Sequence, residues 1–394
     1  MNQLNYHARS LGRVREKFSK VAIFATIFTG AHNAYAACGA ARSVSFYGTL
    51  DAAVQATNSG AATGGTTGGI SSGNSTGSRV GVRGKCALQD GVVGIFDLEA
   101  GLNVNNGTFK DYFGDPTTIK PTLLNGSTTT GFNRRSFVGL KTSFGTVEIG
   151  RDYAPIFYAA LGSDVMGLGF FGNLQETVPI VGGTDQWARL SNAVFYQTPA
   201  LHGFVGRVAY SFGSQSTGAT GAAPTQADHL LGVGGSFRDG KLLLNGSWQQ
   251  MKVPDIASGA FTGGLSKRTD WLIGGTYHFG LAEVGLGHWA INYPARSTAS
   301  WVGVAYSLLG GNIMGEAISL RTDVSGGQNK SGTSLGLAYM HTLGNGASWY
   351  ATYGEVSNSA NSAYALVSGD SAVAPGGLGA SPKGFALGYR IDFN

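Results

Sequence analysis

The feature that most constrains this chain is a strict two-residue alternation, clearest at its C-terminal end. Phe385, Leu387, Tyr389, Ile391 and Phe393 fall on one parity; Ala386, Gly388, Arg390 and Asp392 fall on the other. Successive side chains of a strand point to opposite faces, so this segment has one apolar face and one small or charged face. The pattern recurs along the chain. Strands are predicted at 43–57, 78–86, 91–105, 132–141, 146–153, 191–198, 203–213 and 229–238, then at 241–251, 268–279, 281–291, 299–308, 313–322, 332–342, 347–356 and 383–393. Most have about the 9–11 residues that a tilted strand needs to cross a bilayer.

The connections alternate as well. Short turns at 143–145, 239–240, 279–280, 310–312 and 343–346 separate long Gly/Ser/Thr/Asn segments at 58–77, 106–131, 154–190, 214–228, 252–267 and 357–382. A soluble sandwich has no reason to gather its long loops at one end, whereas a membrane barrel does, with apolar positions toward lipid and polar ones toward water. Backbone groups in hydrocarbon must all be paired, so the first and last strands are expected to close the sheet. Sixteen strands enclose more space than side chains fill, leaving an aqueous lumen. The expected fold is therefore all-β, a 16-stranded antiparallel transmembrane β-barrel. The 64 glycines, about twice the usual share, suit turns and close backbone approaches within such a sheet.

The N-terminus reads differently. Arg9, Arg13, Arg15, Lys17 and Lys20 precede an apolar run from Val21 to Ala31, followed by Ala34-Tyr35-Ala36. A basic start, a short apolar run and a small-x-small site make a secretory signal, cleaved after Ala36. The run is too short for a spanning helix. Residues 37–394 are then the barrel domain. Residues 1–36 carry five basic residues and one acid, so 22 basic and 21 acidic residues remain, and nucleic acid is not an expected partner. Cys38 and Cys86 fit no metal spacing. Cys38 also stands where an acylated cysteine would, but Tyr35-Ala36-Ala37 lacks the leucine-like residue of such signals. In an exported chain the two cysteines are expected to form a disulfide that pins the N-terminal tail to the first short turn, the alternative being two free thiols.

Four stretches then resemble the trimeric general porins of Gram-negative bacteria, of the β-proteobacterial type. They are Ser43–Asp51, Ser78–Gly84 continuing through Gly91–Glu99, Phe132–Lys141 with Phe144–Tyr153, and Arg189–Tyr196 with Pro199. Lys85 and Cys86 depart from the acids usual there, and Asn394 follows the terminal aromatic. The resemblance implies an outer-membrane protein, a homotrimer in lipid, and a water-filled channel for passive diffusion of small anionic or neutral solutes, with no cofactor and no catalysis. It also implies that the third loop, 154–190, folds inward and narrows the pore, with Asp164, Glu176 and Asp185 as its acids. A wall of arginines is expected opposite. Arg79 and Arg83 face the lumen if Val80 and Val82 face lipid; Arg134 faces it if Phe137 faces lipid, with Arg135 at the rim. Arg189 matches the third wall arginine, and Arg151 is a further candidate of ambiguous parity beside Gly150. Arginine suits the task because its guanidinium stays charged and is weakly hydrated, and charged rings set ion selectivity in pores.

Two catalytic patterns carry no weight. Gly167–Gly172 fits GxGxxG without a βαβ unit around it. Gly332–Gly336 fits GxSxG but opens a predicted strand, not a strand-to-helix turn.

Overall fold

A computed structural model describes residues 42–88, 91–110, 131–177, 188–213, 229–257, 260–293 and 295–394. The barrel strands in the first half are β1 (Arg42–Asn58), β2 (Arg79–Ala87), β3 (Val93–Asn103), β4 (Arg135–Thr142), β5 (Gly145–Tyr153), β6 (Arg189–Gln197), β7 (Phe204–Phe212) and β8 (His229–Asp239). In the second half they are β9 (Leu242–Ala257), β10 (Ala260–Phe279), β11 (Ala282–Asn292), β12 (Arg296–Leu308), β13 (Gly311–Thr322), β14 (Lys330–Gly344), β15 (Ala347–Asn358) and β16 (Lys383–Phe393). Each pairs antiparallel with its neighbours in sequence. The ring closes where β1 meets β16, from Gly48↔Phe393 to Asn58↔Lys383. Closure removes the free edges that hydrocarbon forbids. The sixteen predicted strands correspond one to one with these.

Alternation sets the two faces. On β16, Phe385, Leu387, Tyr389 and Ile391 are exposed on the outer surface, while Gly384, Ala386 and Gly388 are buried. Trp248 and Trp271 lie opposite each other on the outside of β9 and β10, as in an interfacial aromatic girdle.

Two loops differ from expectation. Segment 252–267 is the outer end of the β9–β10 hairpin, whose ladder runs through Ala257↔Ala260 with a register shift between Pro254 and Ile256. Beyond the membrane no lipid imposes alternation, so that hairpin has no periodic signature, and Pro254, lacking an N–H, sits where the ladder is interrupted. Segment 357–382 is not a free external loop. Its hairpin, Leu366–Ser368 with Ser371–Val373, turns into the barrel mouth. There Ser368 bridges Phe171 and donates its Oγ to Asn74 Oδ1 at 2.6 Å.

The described part of the third loop, residues 154–177, runs inside the barrel. It begins with helix α1 (Pro155–Leu161), which packs on β8, β9 and β10. Its path then follows the inner faces of β10 through β16. The wall makes room for it with glycine. A Cβ on Gly274 would stand 2.8 Å from the Ser163 Cβ, and one on Gly336 would stand 2.5 Å from the Phe171 carbonyl oxygen. Side chains then fasten the loop. Asn245 Nδ2 donates to Gly162 O at 2.9 Å, Trp301 Nε1 to Ser163 O at 3.0 Å, and the Phe171 N–H to Thr352 Oγ1 at 3.1 Å. Ile156, Leu168 and Leu174 bury against Leu272, Trp289 and Ile318. This is the core of the molecule: loop against inner wall.

Candidate functional site

Beside the start of that loop, where Phe157 stacks on Tyr153 at 4.0 Å, β2–β6 and the segments between them carry a cluster of cations. Arg134 donates Nε to Glu99 Oε1 at 2.6 Å and Nη2 to the Tyr153 hydroxyl at 2.7 Å. Arg189 donates Nη2 to the same hydroxyl at 3.1 Å and lies over the Tyr153 ring at 4.7 Å. Arg79 completes the group, with its Nε 3.5 Å from Glu99 Oε2 and Nη1 donating to Gly77 O at 2.8 Å. Three arginines thus share one carboxylate and one phenol. Arg134 and Arg189 are each only 6% exposed, so they are fixed parts of the wall and not loose rim groups.

Two further groups join them. Lys110, seven residues beyond β3, forms an ion pair of 3.3 Å with Asp370 of the 357–382 segment. Burial presses the Lys110 ammonium below its usual range, and the Asp370 carboxylate opposes that. Gly77 permits the approach: a Cβ there would stand 2.5 Å from Asp370 Oδ2 and 2.6 Å from Arg134 Nη1. Among the described residues, four cations therefore stand against Glu99 and Asp370.

Arg83 faces the lumen lower down, its guanidinium 4.7 Å over the Tyr47 ring and its Nη2 3.4 Å from Asn394 Oδ1. Arg151 turns away from the pore. It pairs with Ser136, out of phase with the inward pair Phe137↔Gly150, and donates to Asn133 O at 2.7 Å and Ser191 Oγ at 2.6 Å. Phe137 does not face lipid. It is 6% exposed while Val138 is 63% exposed, so Phe137 and Arg135 share the inner face. Arg134 precedes β4 and reaches the wall from the loop, where alternation no longer applies. Arg135 is not a rim group: it bonds Asp97 at 2.8 Å and Asp152 at 2.7 and 2.9 Å.

Asp164 is not a pore-facing acid. Its carboxylate is buried and accepts the N–H groups of Met166 at 2.6 Å, Leu168 at 3.0 Å and Leu174 at 3.3 Å. A carboxylate accepting several N–H bonds ties a turn together, and here it shapes the loop. Glu176 falls in the 3-10 turn Leu174–Thr177. Asp185 lies outside the described residues, as do Cys38 and residues 1–36. Cys86 is disulfide-bonded, and none of the cysteines described is free. Gly332–Gly336 lies within β14, in extended strand.

Glu99 and Asp97 were not singled out from the sequence, although alternation against Phe96 and Leu98 on β3 turns them inward. Nothing local marks Lys110, Tyr153 or Asp370.

The family model described as Gram-negative porin matches residues 21–361. The chain belongs to the Gram-negative porin family. Among curated relatives, outer membrane porin protein 32 of Delftia acidovorans is 28% identical over 258 residues, 63% of this chain and 65% of that protein. An outer membrane porin protein of Bordetella pertussis is 26% identical over 231 residues, 57% of this chain and 52% of the relative. The aligned part thus spans less than two thirds of either relative. The solved anion-selective porin from Comamonas acidovorans has the same fold, with a TM-score of 0.72 at 22% identity, covering 89% of this chain and all of that one. The trimer form of OmpT from Vibrio cholerae superposes at a TM-score of 0.62 and 18% identity, covering 90% of this porin and all of that chain.

Proposed function

We propose that this porin is a passive diffusion channel of the Gram-negative outer membrane, with a modest preference for anions, exported by a signal cleaved after Ala36 and assembled as a homotrimer. The observation that carries the reading is the gathering of Arg79, Arg134, Arg189 and Lys110 on one wall of a barrel whose third loop, over residues 154–177, is folded into the lumen. The transported solute passes between fixed charge and fixed loop. Positive wall charge lowers the energy of a passing anion and raises that of a cation, and no bond is made or broken. The relatives are named as outer membrane porins, and one solved neighbour is named as anion-selective; both support this reading.

A planar bilayer separating two KCl concentrations tests it. The zero-current potential is expected to carry the sign of chloride permeation. A potential of the opposite sign would remove the anion preference, and an absence of any conductance would remove the channel.

We also assign Cys38 as the partner of Cys86, anchoring the N-terminal tail beside β2. The mature protein, denatured and alkylated, is expected to gain two alkyl groups only after reduction. Two groups gained without reductant would refute the bridge.

A further inference from the structure

Below the arginine wall, toward the short-turn end, the inner face of β2–β7 contains a recess of about 240 Å³ under the start of the third loop. Three cations line it: Lys85 on β2, Lys141 near the end of β4, and Arg207 on β7. Lys85 and Lys141 are exposed to the lumen, and none of the three is ion-paired with a described acid. Arg207 lies 4.5 Å over the Tyr158 ring and donates Nε to the neutral Gln197 side chain at 3.1 Å. Its position is fixed but its charge is not neutralised.

The acids of the recess do not cancel that charge. Asp152 is held in a two-pronged pair by Arg135. Because Arg135 is shared with Asp97, one negative charge of that trio and Glu148 stand against three cations, leaving a net positive charge. The roof is different in kind. Pro155, Tyr158 and Phe195 present ring faces and edges to the same space, and Tyr158 is locked edge-on against Tyr153 at 6.0 Å.

A small inorganic ion would use the cations and leave the rings hydrated. A carboxylate with an apolar body would satisfy both, through charge-assisted hydrogen bonds below and removal of apolar surface from water above. The volume is smaller than the roughly 300–1,000 Å³ of pockets for drug-sized ligands, which points to a single ring or a short chain. We infer that this recess is a holding site for small organic carboxylates with an apolar body, separate from the arginine wall. The inference rests on the channel reading above and names the class of solute that lingers in the channel.

Benzoate and acetate, added as sodium salts to single channels in constant KCl, test it. Benzoate is expected to interrupt the current in a dose-dependent way, and acetate at equal concentration far less. In the K141Q/R207Q double variant the half-blocking benzoate concentration is expected to rise about tenfold, because two of the three charges are gone. The single variant K85Q, at an exposed side chain, is expected to shift it in the same direction by a smaller factor. Equal block by the two anions, or an unchanged half-blocking concentration in conducting variants, would overturn the recess as a site. A protein that passes no KCl current at all would instead overturn the channel reading, so the two failures are distinct.

Discussion

Channels carrying both Arg134→Gln and Arg189→Gln are expected to lose the anion preference and drift toward cation preference in a KCl gradient. The reason is the sharing of partners at the wall. Arg134 and Arg79 together hold Glu99, and Arg134 and Arg189 together hold the Tyr153 hydroxyl. Glutamine keeps much of the length and some hydrogen bonding but removes the charge. One unit charge about 4 Å from a passing ion is worth about 1 kcal/mol even in water, or about fivefold in relative permeation for each charge lost. Glu99 would then keep only Arg79 and add a negative field to the wall. Zero-current potentials of the double variant and of the parent, taken in the same gradient, measure the change. An unaltered potential would mean that the selectivity lies elsewhere, for example at Arg83 and the lysines lower in the lumen.

Replacing Arg135 with leucine is expected to destabilise the barrel more than any single substitution in the upper wall. Arg135 stands between Asp97 and Asp152, whose side chains are only 5% and 3% exposed. Its guanidinium also covers the Phe137 ring at 4.9 Å. Without it, two carboxylates face each other across a nearly dry gap with Glu99 close behind. Breaking a buried pair from one side leaves an uncompensated charge and costs about 3–5 kcal/mol. Here about 3 kcal/mol is the better figure, since a quarter of the Arg135 side chain is open to water in the lumen. Urea titration of the reconstituted barrel measures it. The triple change that also makes Asp97 and Asp152 into Asn is expected to recover most of the loss, because it removes the stranded charges with their partner. Failure of that rescue would assign the loss to the Phe137 contact instead.

Alternation placed the sixteen strands, because lipid on one side and water on the other act on every second residue of each segment independently. Arg79 and Arg83 were placed the same way, since β2 is regular throughout. The rule failed where the strand is not regular. Arg151 lies in the register shift between Gly150 and Asp152. Arg134 lies before β4 begins, and Phe137 is an aromatic ring that caps an inward guanidinium instead of meeting lipid.

What the amino-acid order determined by itself is therefore the barrel: its strand count, its closure, and which end carries the long loops. Those properties follow from short-range periodicity and from the ban on unpaired backbone in hydrocarbon. Only the tertiary structure decided what stands inside it. Asp370 meets Lys110 across 260 positions, the Tyr350 hydroxyl reaches Asp51 across 299, and Asp164 is spent on shaping its own loop. The Lys110 and Asp164 contacts depend on where loops travel, which no local pattern encodes, whereas Tyr350 on β15 and Asp51 on β1 are brought together by closure across β16.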